Sequence, residues 1–169
     1  FGRDVYSRVI YGTRISLIIG FSVAVVATFI GLVIGVLCGF YKAVDAVMMR
    51  VMDGMMAIPA ILLAIALITL MKASLMIVVI AIAIPEIPRV ARLVRSVVLS
   101  VRSRPSIEAA ISSGTRNGRI MVRHILPNTV APLIVQATYV CASAILTEAG
   151  LSFLGAGTPP EIPSWGNVI

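Results

Sequence analysis

Charge is scarce in this chain of 169 residues: only 12% are Asp, Glu, Lys or Arg, with seven acids against 14 bases. Soluble domains carry about 25% charged and about 45–50% apolar residues. Here 59% are hydrophobic and the mean hydropathy is +1.05. That leaves too little polar surface for a soluble enzyme, and it excludes a disordered tail and a fibrous repeat. Cysteine is limited to Cys38 and Cys141, each inside an apolar run, so there is no disulfide framework and no C-x-x-C metal spacing. Both read as small buried apolar side chains. Lysine occurs only at Lys42 and Lys72, neither within G-x-x-x-x-G-K-[ST], which excludes a phosphate-cradling loop. The lone His124 has no second ligand beside it, so no metal site is expected. Serines lack an elbow motif, and no carboxylate pair has acid–base spacing. The chain is not expected to be an enzyme, and no cofactor is expected.

What is present is a set of long uncharged runs. From Ile15 to Tyr41 there are 27 residues without a charge. As a helix they would span about 40 Å, more than the ~30 Å hydrocarbon core, so a tilted transmembrane helix results. Tyr6 and Tyr11 before it and Phe40 and Tyr41 at its end suit the interface. Gly31, Gly35 and Gly39 recur every fourth residue and mark a helix-packing face, generic to a bundle rather than specific to a dimer. Further spans are expected at about 54–71, 73–100 and 125–154, the first at about 15–41. Lys72 and Ser74 mark a turn, and Pro85 and Pro88 are expected to kink the third span. Glu86, between those prolines, is close enough to Arg89 for a local ion pair. The last 15 residues hold three glycines and three prolines and read as an extramembrane loop ending at Trp165. No signal peptide is evident, since the first apolar run is too long for one. Residue 1 is Phe, which reads as a processed chain or a fragment.

The net charge of +7 sits in one place. Eight of the 14 bases lie between Arg89 and Arg123, against one acid, Glu108, while the rest of the chain balances. In an apolar chain this reflects the positive-inside rule and not nucleic-acid binding. The loop at about 102–124 is therefore cytoplasmic, as are residues 42–53, and both chain ends lie outside, at the cost of Arg3, Arg8 and Arg14 on the outer side. Within the loop a short helix is expected from Ser106 as N-cap to Ser113, stopped by Gly114, with Glu108 favoured by the dipole in its first turn.

That loop carries the informative spacing. Glu108-Ala109-Ala110 is followed after three residues by Gly114, and after nine more by His124-Ile125-Leu126-Pro127. This resembles the EAA motif of the membrane subunits of binding-protein-dependent ATP-binding-cassette importers, with His124 where those proteins carry Ile. Relatives also have a more basic and aliphatic triplet at Ile111-Ser112-Ser113. His124-Ile125-Leu126-Pro127-Asn128 looks like the peptide/nickel permease subfamily. Arg8-Val9-Ile10-Tyr11-Gly12-Thr13-Arg14-Ile15-Ser16-Leu17 agrees with it too. So does Ser152-Phe153-Leu154-Gly155, followed by Pro159-Pro160 and Pro163-Ser164-Trp165-Gly166, and the last two stretches point to the C-type partner of the permease pair.

The resemblance covers essentially the whole chain. It implies an all-α, polytopic transmembrane helical bundle, a MetI-like permease core of one domain over 1–169, lacking a first and a last span. It also implies a short cytoplasmic coupling helix. Glu108, Ala109, Ala110, Gly114, Leu126 and Pro127 then form an ATPase-coupling loop. The small residues let that helix seat in a partner's groove. Implied partners are a second permease subunit, two ATPase subunits, an extracytoplasmic solute-binding protein and the bilayer of the bacterial inner membrane; no nucleic acid is implied. Peptides come first as solute on resemblance, with nickel complexes, glutathione and opines open. The competing reading is a self-contained secondary transporter or channel. That class needs polar groups at the midplane, for which Thr28, Thr69, Gln136 and Ser143 are the weak candidates. A scaffold without a transport role leaves the loop motif unexplained.

Overall fold

A computed structural model describes residues 5–71, 74–158 and 164–168. Lys72, Arg3 and the prolines at 159, 160 and 163 lie outside the described residues. Among those described there are helices and connecting turns but no strands.

Helix α1 (Val5–Phe40) is 36 residues long and begins ten residues before the uncharged run does. Arg8 and Arg14 are good helix formers and are not buried, so they prolong the helix on its accessible side. Tyr41 breaks it, and α2 (Lys42–Met56) follows, then α3 (Ala60–Met71). Pro59, which cannot continue a helix, stands at the break, and α2 and α3 meet at 87°. Helix α4 (Leu75–Arg102) opens on Ser74, whose Oγ accepts a hydrogen bond from the Ile77 N–H at 3.4 Å. It runs on through Pro85 and Pro88 as one element.

The basic segment then folds into α5 (Pro105–Ser112), α6 (Asn117–Ile120) and a wide, π-type turn over Met121–Ile125. Helix α7 (Leu126–Phe153) and a last turn, α8 (Trp165–Val168), complete the order. The expectation of a loop over the last 15 residues is thus corrected at its end, where Trp165 opens a helical turn.

Among the described residues, two helices are long and apolar enough to cross a membrane, Val5–Phe40 and the near-continuous Asn117–Phe153. A third crossing arises if the bent α2–α3 pair counts as one. Helix α4 is amphipathic rather than uniformly apolar: it packs an apolar stripe against α1, α3 and α7 and carries Arg89, Arg92, Arg95 and Arg102 outside that stripe. Val78, Val90, Ala91, Val94 and Val98 on it are almost fully buried. Large apolar side chains such as Phe21, Phe29, Leu70, Val135 and Leu146 remain exposed around the outside. Such a surface is stable only where lipid or another apolar partner replaces water, and the helices satisfy their own backbone groups there.

Two seams position everything else. Helices α1 and α4 run parallel, with Gly31 against Val90, Gly35 against Ala91 and Val94, and Gly39 against Val98. A methyl group added at those glycines would stand 2.5–2.6 Å from the facing atoms, closer than real packing allows. Helices α1 and α7 run antiparallel, with Gly20 against Cys141 and Ile145. The C-termini of α1 and α4 and the start of α7 therefore share one end of the bundle, the basic one.

A candidate coupling helix at the basic end

Helix α5 is held at its root and bare on its outer face. Its N-cap is Arg104, with Pro105 in the first helical turn, so the expected Ser106 cap is corrected. Proline lacks the N–H that would be orphaned there, and its φ is already helical. Ile107 is the anchor, 2% exposed and part of the main core. Glu108 and Ala109 face outward, and Ala110 is half-buried.

The helix stops where the sequence places the stop. Gly114 has φ +76°, the Gly114 N–H donates to the Ile111 carbonyl at 3.0 Å, and the Thr115 N–H donates to the Ala110 carbonyl at 3.1 Å. These paired bonds form a Schellman ending, which needs a left-handed residue at Gly114. A side chain there would meet nothing within 4 Å, so the requirement is conformational and not steric.

Leu126 and Pro127 lie at the start of α7, Leu126 half-buried and Pro127 exposed. Proline crowds the carbonyl four residues back, and the π-type turn over Met121–Ile125 gives the extra width at that point. Ile120 and Ile125, both fully buried, pin this segment to the bundle. Arg104 at the head of α5 donates from Nη1 to Asn128 Oδ1 at 3.2 Å, and Asn128 Nδ2 donates to the His124 carbonyl at 2.6 Å. The two halves of the spaced motif, Glu108–Gly114 and Leu126–Pro127, are thereby joined through Asn128.

Three charge contacts tie α4 to its neighbours near this end, and a fourth lies within α4 itself. Arg95 on α4 holds Asp45 on α2 through both carboxylate oxygens, the Nη2–Oδ2 contact being 2.5 Å. Three residues earlier on α4, and eight residues further along α2 toward its break with α3, Arg92 pairs with Asp53. Arg102 donates from Nη1 to the Gly39 and Phe40 carbonyls at 3.3 and 3.1 Å and lies 5.1 Å from the Phe40 ring centroid. A cation there suits the orphan carbonyls ending α1. Arg89 pairs with Glu86 at 2.9 Å, the local pair that their spacing suggested.

Sequence reasoning did not find the α2–α4 pairs. Residues 42–53 sum to zero charge, and nothing local ties Asp45 to a partner 50 positions away. The excess of Arg on one stripe of α4, at 92 and 95, was the available signal. Among the weak midplane candidates, Thr69 bonds back to the Ile65 carbonyl at 2.9 Å, while the Thr28 hydroxyl is buried without a partner. No group of three or more His, Cys, Asp or Glu side chains that could hold a metal exists among the described residues.

Comparison with known proteins sets this geometry in context. Residues 27–169 match the family described as "Binding-protein-dependent transport system inner membrane component". The chain is 61% identical to the "Probable peptide ABC transporter permease protein y4tQ" of Sinorhizobium fredii over 99% of its own length and 58% of the relative's. It is 45% identical to the "Dipeptide transport system permease protein DppC" of Alkalihalophilus pseudofirmus, over 100% of the chain and 56% of that protein. A "Glutathione transport system permease protein GsiD" from Pectobacterium atrosepticum is 42% identical over 99% of the chain and 56% of its own length. The chain spans little more than half the length of these relatives.

Proposed function

The chain belongs to the binding-protein-dependent transport system inner membrane component family, and from that premise we propose that it forms the translocation core of a peptide importer driven by separate ATPase subunits. The observation that carries this reading is α5: a capped helix at the basic end, anchored by Ile107 and presenting Glu108 and Ala109 outward. Glu108, Ala109, Ala110 and Gly114 make the docking surface, and Leu126 and Pro127 form the hinge by which α7 receives the push.

Small side chains permit close approach to a groove, and Glu108 offers a charge to a basic residue across it. The proposed partners are two ATPase subunits, a second permease and an extracytoplasmic binding protein. ATP hydrolysis belongs to the ATPase subunits. Peptide is the proposed solute, because relatives named for peptide and dipeptide transport are among the similar ones.

Motion of α5 has a defined route. Its root adjoins the C-terminus of α4, and α4 is locked to α1 through the glycine seam and to α2 through Arg92 and Arg95. Those three helices move as one body. Helix α7 is linked to α5 through Arg104 and Asn128 and carries a π-type turn and Pro127 at its base, where an angle can change. A push on α5 then rotates α7 against the α1–α2–α4 body and alters the space between α1 and α7.

The test is Gly114→Glu in the full-length chain within the reconstituted importer. Left-handed backbone strain and a new charge on the docking face should abolish uptake while leaving membrane insertion and complex-independent expression intact. Uptake at the unaltered rate would refute the docking role of this helix.

A further inference from the structure

The bases from Arg89 to Arg123 divide into two groups. Arg89, Arg92 and Arg95 are in ion pairs, Arg102 is bonded to the carbonyls ending α1, and Arg104 is bonded to Asn128. Arg116, Arg119 and Arg123 are exposed, and no ion pair or hydrogen bond engages their side chains among the described residues. These three stand at i, i+3 and i+7, on the cap of α6, on α6 itself and on the π-type turn. Residues at that spacing gather on one side of a helix. Uncompensated positive charge concentrated there attracts an anion.

The same side of the chain continues as an apolar track. Asn117–Phe153 is a near-continuous helix of membrane-crossing length. Val130 and Ile134 come seven and eleven residues after Arg123, about two and three turns further on the same face. They are 47% and 59% exposed. Ile134 opens a groove of about 440 Å³ between α7 and α1, which continues along Ala137, Thr138 and Cys141 and is walled by Phe29 and Leu32. Among the described residues no charged side chain lines it. A basic head thus stands above an uncharged trough on one helix.

The depth agrees with a lipid. At ~1.5 Å per residue, Ile134 lies about 16 Å and Cys141 about 27 Å beyond Arg123. One leaflet with its headgroups is about 20–22 Å thick, half of a whole bilayer. A lipid whose phosphate meets Arg119 and Arg123 therefore ends its chains level with the groove. Arginine grips phosphate oxygens with a fork of two donors, and a lipid of net negative charge brings no ammonium to oppose it. An acidic protein surface would satisfy the arginines but would leave the groove beneath them unexplained.

We propose that Arg116, Arg119 and Arg123, together with the α1–α7 groove, bind one anionic phospholipid, its phosphate on the arginines and one acyl chain in the groove. The chain supplies the contacts that α1 and α7 do not make with each other there. The site rests on the membrane placement of these two helices and not on the coupling role of α5.

Native mass spectrometry tests the site on the full-length chain with the subunits that accompany it, delipidated in detergent and titrated with defined lipids. Dioleoyl phosphatidylglycerol should bind more tightly than dioleoyl phosphatidylcholine. Arg119→Gln combined with Arg123→Gln should weaken the phosphatidylglycerol complex roughly fivefold per arginine and leave the phosphatidylcholine complex unchanged. Dihexanoyl phosphatidylglycerol, with chains too short for the groove, should bind more weakly than the dioleoyl form, and Ala137→Phe should narrow that difference. Should Ala137→Phe fail to assemble, the chain-length comparison in the unaltered protein carries the groove, and the arginine variant carries the headgroup. Equal affinity for the two dioleoyl lipids would overturn the proposal, as would a phosphatidylglycerol preference that survives the double substitution. Inorganic phosphate that displaces phosphatidylglycerol would mark a site for free anions and overturn the lipid assignment. Dihexanoyl and dioleoyl forms binding alike would mean that another segment or subunit fills the groove, and would overturn its role.

Discussion

Helix α1 packs along two long helices, α4 and α7, and treats them differently. Toward α4 it presents Gly31, Gly35 and Gly39, and the facing valines come so near that no methyl group would fit. Toward α7 it is equally close at Gly20, but from Phe21 to Leu32 the helices stand apart. A groove of about 440 Å³ opens there, lined by Ala24, Thr28, Phe29, Ile134 and Ala137 among others. A dry seam without voids has one arrangement and transmits displacement. A seam with spare volume can adopt more than one. On the function proposed above, the closed α1–α4 seam would move as one body and the open α1–α7 seam would be the one that changes.

The largest effect that would break this contrast is expected from Gly35→Leu. The added side chain meets the Ala91 carbonyl and Val94, and overpacking should cost about 3 kcal/mol, read as loss of folded protein in detergent unfolding. Next comes the α2–α4 tie. Arg95→Ala should destabilise by about 1 kcal/mol, since the pair is partly solvated. A cycle with Asp45→Ala should return most of that figure as coupling; additive losses would mean that α2 is not carried by α4.

Gly114→Ala should cost about 1 kcal/mol locally, because an L side chain at φ +76° is strained. Hydrogen exchange in α5 should show it without any change in global unfolding. The smallest stability effect is expected on the open seam. Ala137→Val projects into the groove and should alter stability by less than about 0.5 kcal/mol, yet slow uptake by restricting α7. A large destabilisation there would show the α1–α7 seam to be as tight as its counterpart and would remove the contrast.

Much of this was legible in the residues. The 27 uncharged positions from Ile15 predict a long apolar helix, and the four-residue glycine period marks a face. Both are local patterns with a fixed geometric meaning in a helix. The left-handed stop at Gly114 was equally legible, since a glycine after a short helical stretch has few other uses. The N-cap was misplaced by two residues because Ser106 is a strong capping type, while Pro105 beside it makes a better first helical position. The Asp45–Arg95 and Asp53–Arg92 pairs were not legible, because pairing across 50 or 39 positions depends on the angle at which α2 leaves α1. The enclosure of Glu148 with Ser152, Thr158 and Ser164 was hidden for a similar reason. Sequence shows Glu148 as the charge that closes an apolar run, and only the return of the chain to Thr158 and Ser164 encloses it.

The amino-acid sequence by itself determined that the chain is an all-helical membrane bundle with one basic end, and where on that end a short capped helix lies. Those properties follow from hydropathy, charge placement and backbone preference, each read within a few residues. Tertiary structure alone decided which helices are parallel, which seam is closed and which is open, and which charges are paired or enclosed. These depend on contacts between residues far apart in the chain, whose distances are set by packing and not by spacing.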